Sequence, residues 1–321
     1  ARLGRAAEAG QPVQALWGEE GWQKLLSGST GAEVLDVVLP IQQQPDFVEA
    51  ALRQGFAVIS EKPVAPTAER AWHLLSATRG GNWSVLENWR FELPFRIAAA
   101  ARRRGAIGDL VAFSAESLSE IPEGHPLLQT GSWRLEPESN LIVDVAVHMV
   151  AAMRLALDFH DDGLVVLGAG AAVARAADPA IRPFDTFSAA MSVGHGGAPG
   201  TWLFSLAAPR TSPKEVPGLS DMDLRLVGRN GSLLATRARV QLRDRDGRMV
   251  AEVKDLAGPS VGLALRAAAL RISEALGDGV GEAGRLVAVE EALRDLEVVE
   301  AVLRAVGNHP VSKTAGMRTE L

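Results

Sequence analysis

The 321-residue sequence contains no cysteine and no tyrosine. Without cysteine, disulfide bonds, zinc–thiolate sites and thiol catalysis are all excluded. Without tyrosine, no phenol of this chain can serve as a catalytic acid. Both absences narrow the chemistry that the chain could perform.

Excess basic charge and long apolar runs are also missing. The 33 basic residues are outnumbered by 39 acidic ones, whereas nucleic-acid binding calls for basic charge gathered on one face. The one basic run, Arg102 to Arg104, precedes Gly105 at the end of a helical pattern, where cations suit the helix dipole. No apolar stretch approaches the ~18 residues of a membrane span. We therefore expect a cytoplasmic protein that binds neither nucleic acid nor membrane. Because the chain begins without methionine, the removal of a targeting segment is the alternative to a cytoplasmic location.

The first part of the chain alternates strand and helix. Apolar runs at 33–39, 56–60 and 83–89 predict strands buried on both faces. Helices lie between them, one ended by Gly55 and the next capped by Thr67. Short connections in this order predict a parallel sheet with right-handed crossovers.

From about residue 108 strand-like runs dominate. Asn230-Gly231 and Asp246-Gly247 are strong hairpin signals, so we expect a large, mainly antiparallel open sheet. Helices are predicted at about 141–157, 261–276 and 285–306, the last with a single apolar stripe. The fold class is therefore α/β, and the length suits two domains.

The stretch "VVLGAGAAV" imitates a dinucleotide-binding fingerprint. Gly168 and Gly170 follow an apolar strand, but the third glycine position holds Val173, and Asp178-Pro179 arrives before a helix can form. We interpret it as an ordinary strand. The G-x-G-x-x-G spacing from Gly279 to Gly284 follows the helix predicted at about 261–276 and not a strand, so it does not qualify as a dinucleotide fingerprint either.

Three ionisable residues occupy apolar surroundings. Lys62 directly follows the strand-like run "GFAVIS", where a charge is costly unless it is paired or functional. Asp144 and His148 are four residues apart in the apolar segment "LIVDVAVHMVAAM", which places both on one face of a helix. A histidine that is merely satisfied by its aspartate within the core is the alternative to a catalytic pair.

Several motifs, in this order, resemble the Gfo/Idh/MocA oxidoreductases, the family of glucose–fructose oxidoreductase and inositol dehydrogenase. They are "ISEKPVA", "ENWRFELPFRIAAAARRRGAIGDLVAF" and "LIVDVAVHMV". The resemblance implies a Rossmann domain for NAD or NADP and an α/β domain whose open sheet often forms a dimer interface. It also implies hydride transfer between a nicotinamide and a sugar-like or polyol carbon. The family's catalytic lysine, aspartate and histidine fall on Lys62, Asp144 and His148.

The sequence departs from the family in several places. It lacks the first strand, the glycine loop and the ribose-binding acid, so we expect about 30 or more residues, one βαβ unit's worth, to be missing. Gln44, Ala146 and Ala151 stand where the family often has a histidine, a glycine and an acid. Ala146 adds only a methyl group, whereas Gln44 and Ala151 affect the implied substrate contacts more than the chemistry. We expect residues 1–91 to form a partial, truncated Rossmann domain. Residues 92–321 would form the substrate and dimerisation domain of a homodimer, with the 285–306 helix packing back.

In the implied reaction His148 is the base, and Lys62 stabilises the alkoxide. Asp144 binds a substrate hydroxyl or orients the imidazole. No metal site is predicted, because the remaining histidines form no cluster with acids. The further candidates are, for the cofactor, Leu39, Pro40, Glu61 and Asn88, and for the substrate, Arg90, Trp133 and Arg134. A catalytically silent ligand-binding or regulatory relative of the same fold is the alternative function.

Overall fold

The computed structural model describes residues 15–78, 81–122, 124–129, 132–135, 140–157, 163–173, 181, 184–208, 221–256, 258, 260–274 and 287–307. Within these ranges the chain forms a three-stranded sheet and an eight-stranded sheet with helices packed on them. The predicted α/β class, a small parallel sheet followed by a large open one, is confirmed.

The first sheet is parallel, in the order β1-β2-β3. Thr67 caps α3 by accepting the Arg70 N–H on its hydroxyl oxygen at 3.2 Å, and Gly55 follows α2 with a φ of 87°. Both helix boundaries agree with the sequence. The elements are α1 (Gly18–Leu26), β1 (Val34–Val37), α2 (Gln44–Arg53), β2 (Ala57–Glu61), α3 (Ala68–Ala77) and β3 (Trp83–Leu86).

The third strand ends earlier than the apolar run 83–89 predicts. It stops at Leu86, and a short 3-10 helix, Asn88–Phe91, follows. The side chain of Glu87 accepts the Trp89 N–H at 2.9 Å and so caps this turn. Helix α4 (Leu93–Arg103) then leads into the second sheet.

The second sheet has the strand order β11-β10-β9-β8-β4-β7-β6-β5. Only β4 and β7 pair in parallel among these strands, so the sheet is mainly antiparallel. Both predicted hairpins are present, and the Gly168–Gly170 segment is an ordinary strand paired with β6. The strands are β4 (Leu110–Leu118), β5 (Leu164–Ala172), β6 (Thr186–Val193), β7 (Pro199–Ser205), β8 (Asp223–Gly228), β9 (Gly231–Ala235), β10 (Val240–Asp244) and β11 (Met249–Val253).

Helix α5 (Leu141–Leu157) is buried on nearly all sides. The Asn140 side chain begins it by accepting the Ile142 N–H at 2.9 Å, as a helix N-cap does. A helix that is apolar all round belongs in a core, and α5 packs against both α4 and α7. It is therefore a rigid support for any side chain on its surface.

The last two described helices are α6 (Ser260–Glu274) and α7 (Val289–Ala305). The predicted stripe on α7 is buried at Val289, Leu293, Leu296, Val299 and Leu303, and the helix packs on α3, α5, β3 and β5. Leu286, the first position of that stripe, lies outside the described residues. The C-terminal helix thus touches both sheets, while a domain division at residues 91/92 stays a prediction.

Candidate active site

The turn after β2 carries Lys62. The Lys62–Pro63 peptide bond is cis, and the side-chain amide of Gln44 donates hydrogen bonds to the carbonyls of Glu61 at 2.7 Å and Pro63 at 2.9 Å. Gln44 is almost fully buried. It therefore holds the backbone on both sides of the lysine, a structural role that the sequence analysis missed.

Lys62 reaches from this turn to α5. Its Nζ donates to Asp144 Oδ1 and to the Asp144 backbone carbonyl, each at 2.7 Å. The two residues are 82 positions apart in sequence, and the lysine side chain is 15% exposed. An ammonium group has three donors, so one stays available for a ligand after these two bonds.

The Asp144 carboxylate is shared by two cations. Arg134 Nε donates to Oδ2 at 2.7 Å, while Lys62 holds Oδ1. Burial tends to raise the pKa of Asp144, but the charges and hydrogen bonds of Lys62 and Arg134 outweigh it, so the pKa lies below its usual value. The three groups together carry one net positive charge.

His148 lies one helical turn beyond Asp144. Its Nδ1 is 2.7 Å from Glu87 Oε1, and its ring stacks on Trp89 with centroids 5.7 Å apart and planes 16° apart. The carboxylate that contacts the imidazole is thus Glu87, whereas Asp144 faces Lys62 and Arg134. Because residues four apart on a helix are neighbours, Asp144 and His148 lie on the same face of α5, and Lys62 contacts that face through Asp144.

Glu87 is the residue of this site that the sequence analysis did not select. It is 1% exposed. Burial alone would raise the pKa of Glu87, but His148, Arg90 and the Trp89 N–H lower it. Glu87 follows buried strand β3 just as Lys62 follows buried strand β2, so the argument applied to the lysine would also have found it.

Trp133 and Arg134 approach the site from a short 3-10 helix, Trp133–Leu135. The guanidinium carbon of Arg134 lies 4.2 Å from the centroid of the Trp133 ring, a cation–π arrangement. The Gln42 side-chain amide donates to the Trp133 carbonyl at 3.2 Å. This bond ties the Trp133 segment to the connection that follows β1 and places Arg134 beside the carboxyl edge of the first sheet.

The four cofactor candidates follow or end the three parallel strands at that same edge: Leu39, Pro40, Glu61 and Asn88. Crevices at the carboxyl ends of open parallel sheets are the usual place for nucleotides. Burial raises the pKa of Glu61, partly opposed by Lys62. The Asn88 amide is engaged in a bond to Ser260 of α6 at 3.0 Å.

Arg90, a substrate candidate, is buried in an ionic network with α7. It pairs with Asp295 and donates to the Glu291 carbonyl at 3.0 Å. Arg154 of α5 contacts the same two residues, at 2.7 Å from Asp295 Oδ1 and 2.7 Å from Glu291 Oε2. These contacts favour a role of Arg90 in fixing α7. The substrate contact predicted for Arg90 stays a prediction.

The part of the chain that the structure describes contains no group of three or more His, Asp or Glu side chains able to hold a metal ion. In the same ranges, no helix is both long enough and apolar enough to cross a membrane.

Residues 4–85 match the family model GFO_IDH_MocA, described as an oxidoreductase family with an NAD-binding Rossmann fold. An oxidoreductase from Thermotoga maritima superposes with a TM-score of 0.72 at 24% identity, over 95% of this chain and 85% of that one. The resemblance to the Gfo/Idh/MocA oxidoreductases is confirmed. The same fold occurs in an inositol dehydrogenase homologue of Azotobacter vinelandii solved with NADH and myo-inositol, with a TM-score of 0.68 at 17% identity. That match covers 90% of this chain and 81% of the homologue.

A curated relative, Dehydrogenase FPY6 of Fusarium mangiferae, is 32% identical over 120 residues. The matched stretch covers 36% of this chain and only 34% of that relative's length. The cofactor class of the family is NAD.

Proposed function

We propose that this chain acts as a nicotinamide-dependent oxidoreductase that transfers a hydride between NAD(P) and a hydroxyl-bearing carbon of a sugar, polyol or related cyclic alcohol. The observation that carries the proposal is the contact of Lys62 Nζ with Asp144 at 2.7 Å, one helical turn from His148. Three ionisable side chains from two distant parts of the chain converge where the fold favours ligands. Buried ionisable groups gathered in this way are typical of functional sites.

The charges suit the oxidation of an alcohol. The hydroxyl proton passes to the imidazole of His148, and the carbon becomes a carbonyl as its hydride leaves with both bonding electrons. The third donor of Lys62 stabilises the oxygen while negative charge develops on it. Because Arg134 also pairs with Asp144, the aspartate does not cancel the lysine charge completely.

The substrate would contact the same cations. Asp144 can accept a hydrogen bond from a second hydroxyl, since a carboxylate offers about four acceptor positions and two are used by Lys62 and Arg134. Trp133 presents a half-buried ring at the same place. A compound with neighbouring hydroxyls matches this set of donors and acceptors.

The residues at the carboxyl edge of the first sheet fit the nicotinamide end of the cofactor. Glu61 can accept hydrogen bonds from ribose hydroxyls, and the half-buried Leu39 and Pro40 offer an apolar surface to a ring. When bound, the nicotinamide accepts or donates the hydride. The G-x-G-x-x-G spacing from Gly279 to Gly284 lies outside the described residues, so we assign the pyrophosphate to no described residue.

The test is a titration of the full chain with NAD⁺, NADH, NADP⁺ and NADPH by calorimetry, followed by a screen of polyols and sugars for NAD(P)H formation at 340 nm. Turnover of a compound with adjacent hydroxyls supports the proposal. Binding of a sugar or polyol without turnover under any cofactor would instead identify a catalytically silent relative. Failure to bind any nicotinamide or any polyol would overturn both.

A further inference from the structure

The pair formed by Glu87 and His148 has a geometry that defines one proton position. Glu87 Oε1 receives two contacts, the Trp89 N–H at 2.9 Å and His148 Nδ1 at 2.7 Å. An ionised carboxylate only accepts hydrogen bonds. We therefore assign the proton of the neutral imidazole to Nδ1, which leaves the lone pair on Nε2.

Packing fixes the plane of the imidazole as well as its proton. Trp89 stacks on the His148 ring, and Phe95 stacks on Trp89 at 5.9 Å between centroids. The Arg237 guanidinium also lies over the Trp89 ring, at 5.1 Å. The imidazole therefore has a carboxylate at one nitrogen and an aromatic wall along its face. Among the described residues no protein group bonds Nε2, and the side chain is 14% exposed.

We propose that Glu87 is the positioning residue of this site: it holds His148 with Nδ1 protonated, so that Nε2 alone takes the substrate proton, and it stabilises the imidazolium that results. The proposal rests on the proposed function for the identity of the proton donor. The protonation state assigned to His148 does not depend on the proposed function, because the contact with Glu87 defines it without any ligand.

The charges around the pair support an ionised Glu87. Arg90 in the same 3-10 helix lowers the pKa of Glu87, together with His148 itself. Glu61 of β2 and Asp295 of α7 bring like charge close to it, but Asp295 is paired with both Arg90 and Arg154.

On α5, Asp144 is one turn from His148, and its charge is already held by Lys62 and Arg134. Glu87 is thus the carboxylate that interacts with the imidazole directly.

The first test is histidine ¹⁵N NMR on the full chain without ligands, with His148→Gln used to assign the signal among six histidines. We expect the neutral His148 ring to be protonated at Nδ1. A ring protonated at Nε2 would refute the proposal, whether or not the chain turns over any substrate.

The second test compares Glu87→Gln with the matched control Glu20→Gln, an exposed glutamate of α1. The amide keeps the size of the side chain but not its charge. In Glu87→Gln we expect the NMR titration of His148 and the acidic limb of kcat/KM to move to lower pH, because the imidazolium has lost its counter-ion. We expect kcat to fall by about 10–10²-fold, part of the 10²–10⁴ that general-base catalysis supplies, with KM little changed.

The outcomes separate the two proposals. An unchanged titration in Glu87→Gln would overturn the role of Glu87 even in an active enzyme. A shifted titration in a protein that turns over no substrate would support the Glu87–His148 pair and reject the proposed function. Glu87→Asp retains the negative charge, so its His148 titration should lie closer to that of the wild type than the titration of Glu87→Gln does. A purely structural role would not predict this difference.

Discussion

Replacing Lys62 by methionine removes the cation at the end of β2 while keeping a side chain of similar length. In the structure Nζ donates two hydrogen bonds to Asp144, at 2.7 Å each, which leaves the third donor available for a ligand. A unit charge about 3 Å from an alkoxide is worth roughly 5 kcal/mol at an effective dielectric constant of about 20. The negative charge of Asp144 reduces this stabilisation, and the positive charge of Arg134 partly offsets the reduction.

We therefore expect Lys62→Met to lower kcat by about 10²–10³-fold, or roughly 3–4 kcal/mol, the scale of one lost donor at a developing oxyanion. Steady-state rates of NAD(P)H formation would be measured with the best substrate of the screen. Lys24→Met, at an exposed lysine of α1, is the matched control and should leave kcat unchanged.

Stability must be checked separately, because the variant leaves Asp144 with Arg134 as its one cationic partner. A charged partner lost from a buried group costs about 1–3 kcal/mol, which urea unfolding would detect. A correctly folded Lys62→Met variant with less than a 10-fold loss of kcat would refute the electrostatic role of the lysine.

Four further predictions follow from other contacts. His148→Ala should lower kcat by about 10²–10⁴-fold and flatten its pH profile; an unchanged profile would exclude it as the base. Asp295→Ala leaves two buried arginines without their shared carboxylate and should destabilise the fold by about 3–5 kcal/mol in urea, whereas Arg294→Ala should cost about 0.5 kcal/mol or less. The pKa of Asp144 is depressed, so the ionised carboxylate adds to the free energy of unfolding above about pH 3.9, and this contribution is lost as the pH falls through the folded-state pKa. In acid unfolding experiments, the stability of Asp144→Asn should lack this pH-dependent contribution. Finally, we expect a homodimer through the open sheet with a buried area above ~1,600 Å²; Leu203→Glu, on its exposed face, should dissociate it in sedimentation experiments, and a wild-type monomer at micromolar concentration would contradict the dimer.

Local patterns were sufficient for the elements and for part of the site. The apolar runs and the turn residues "NG" and "DG" predict the strands on either side of these turns. Asp144 and His148 can be identified because they are ionisable residues in the otherwise apolar segment of α5. The same patterns do not show which groups meet. Gln44 is an ordinary first-turn residue of α2 in sequence, yet its amide holds the backbone around Lys62, a contact that exists only after β1 and β2 pair.

Arg90 was selected for a ligand contact because of its place between the two sheets, and that contact stays a prediction. Its burial depends on α7, whose Asp295 is 205 residues away, and no local pattern relates the two positions. Charges that are stabilised by partners distant in sequence therefore look alike, in sequence, to charges that are kept for a substrate.

Glu87 and Lys62 show why the ends of the strands matter more than the motifs around them. Each follows a buried parallel strand, and neighbouring parallel strands end at the same edge of a sheet. Helix α5 crosses this edge with two ionisable side chains one turn apart, so Lys62 meets Asp144 and Glu87 meets His148. In the proposed reaction, one pair leaves a cation for the substrate oxygen and the other leaves a base for its proton. Two strand ends and one helical turn are therefore sufficient to place both the cation and the base that the proposed alcohol oxidation requires.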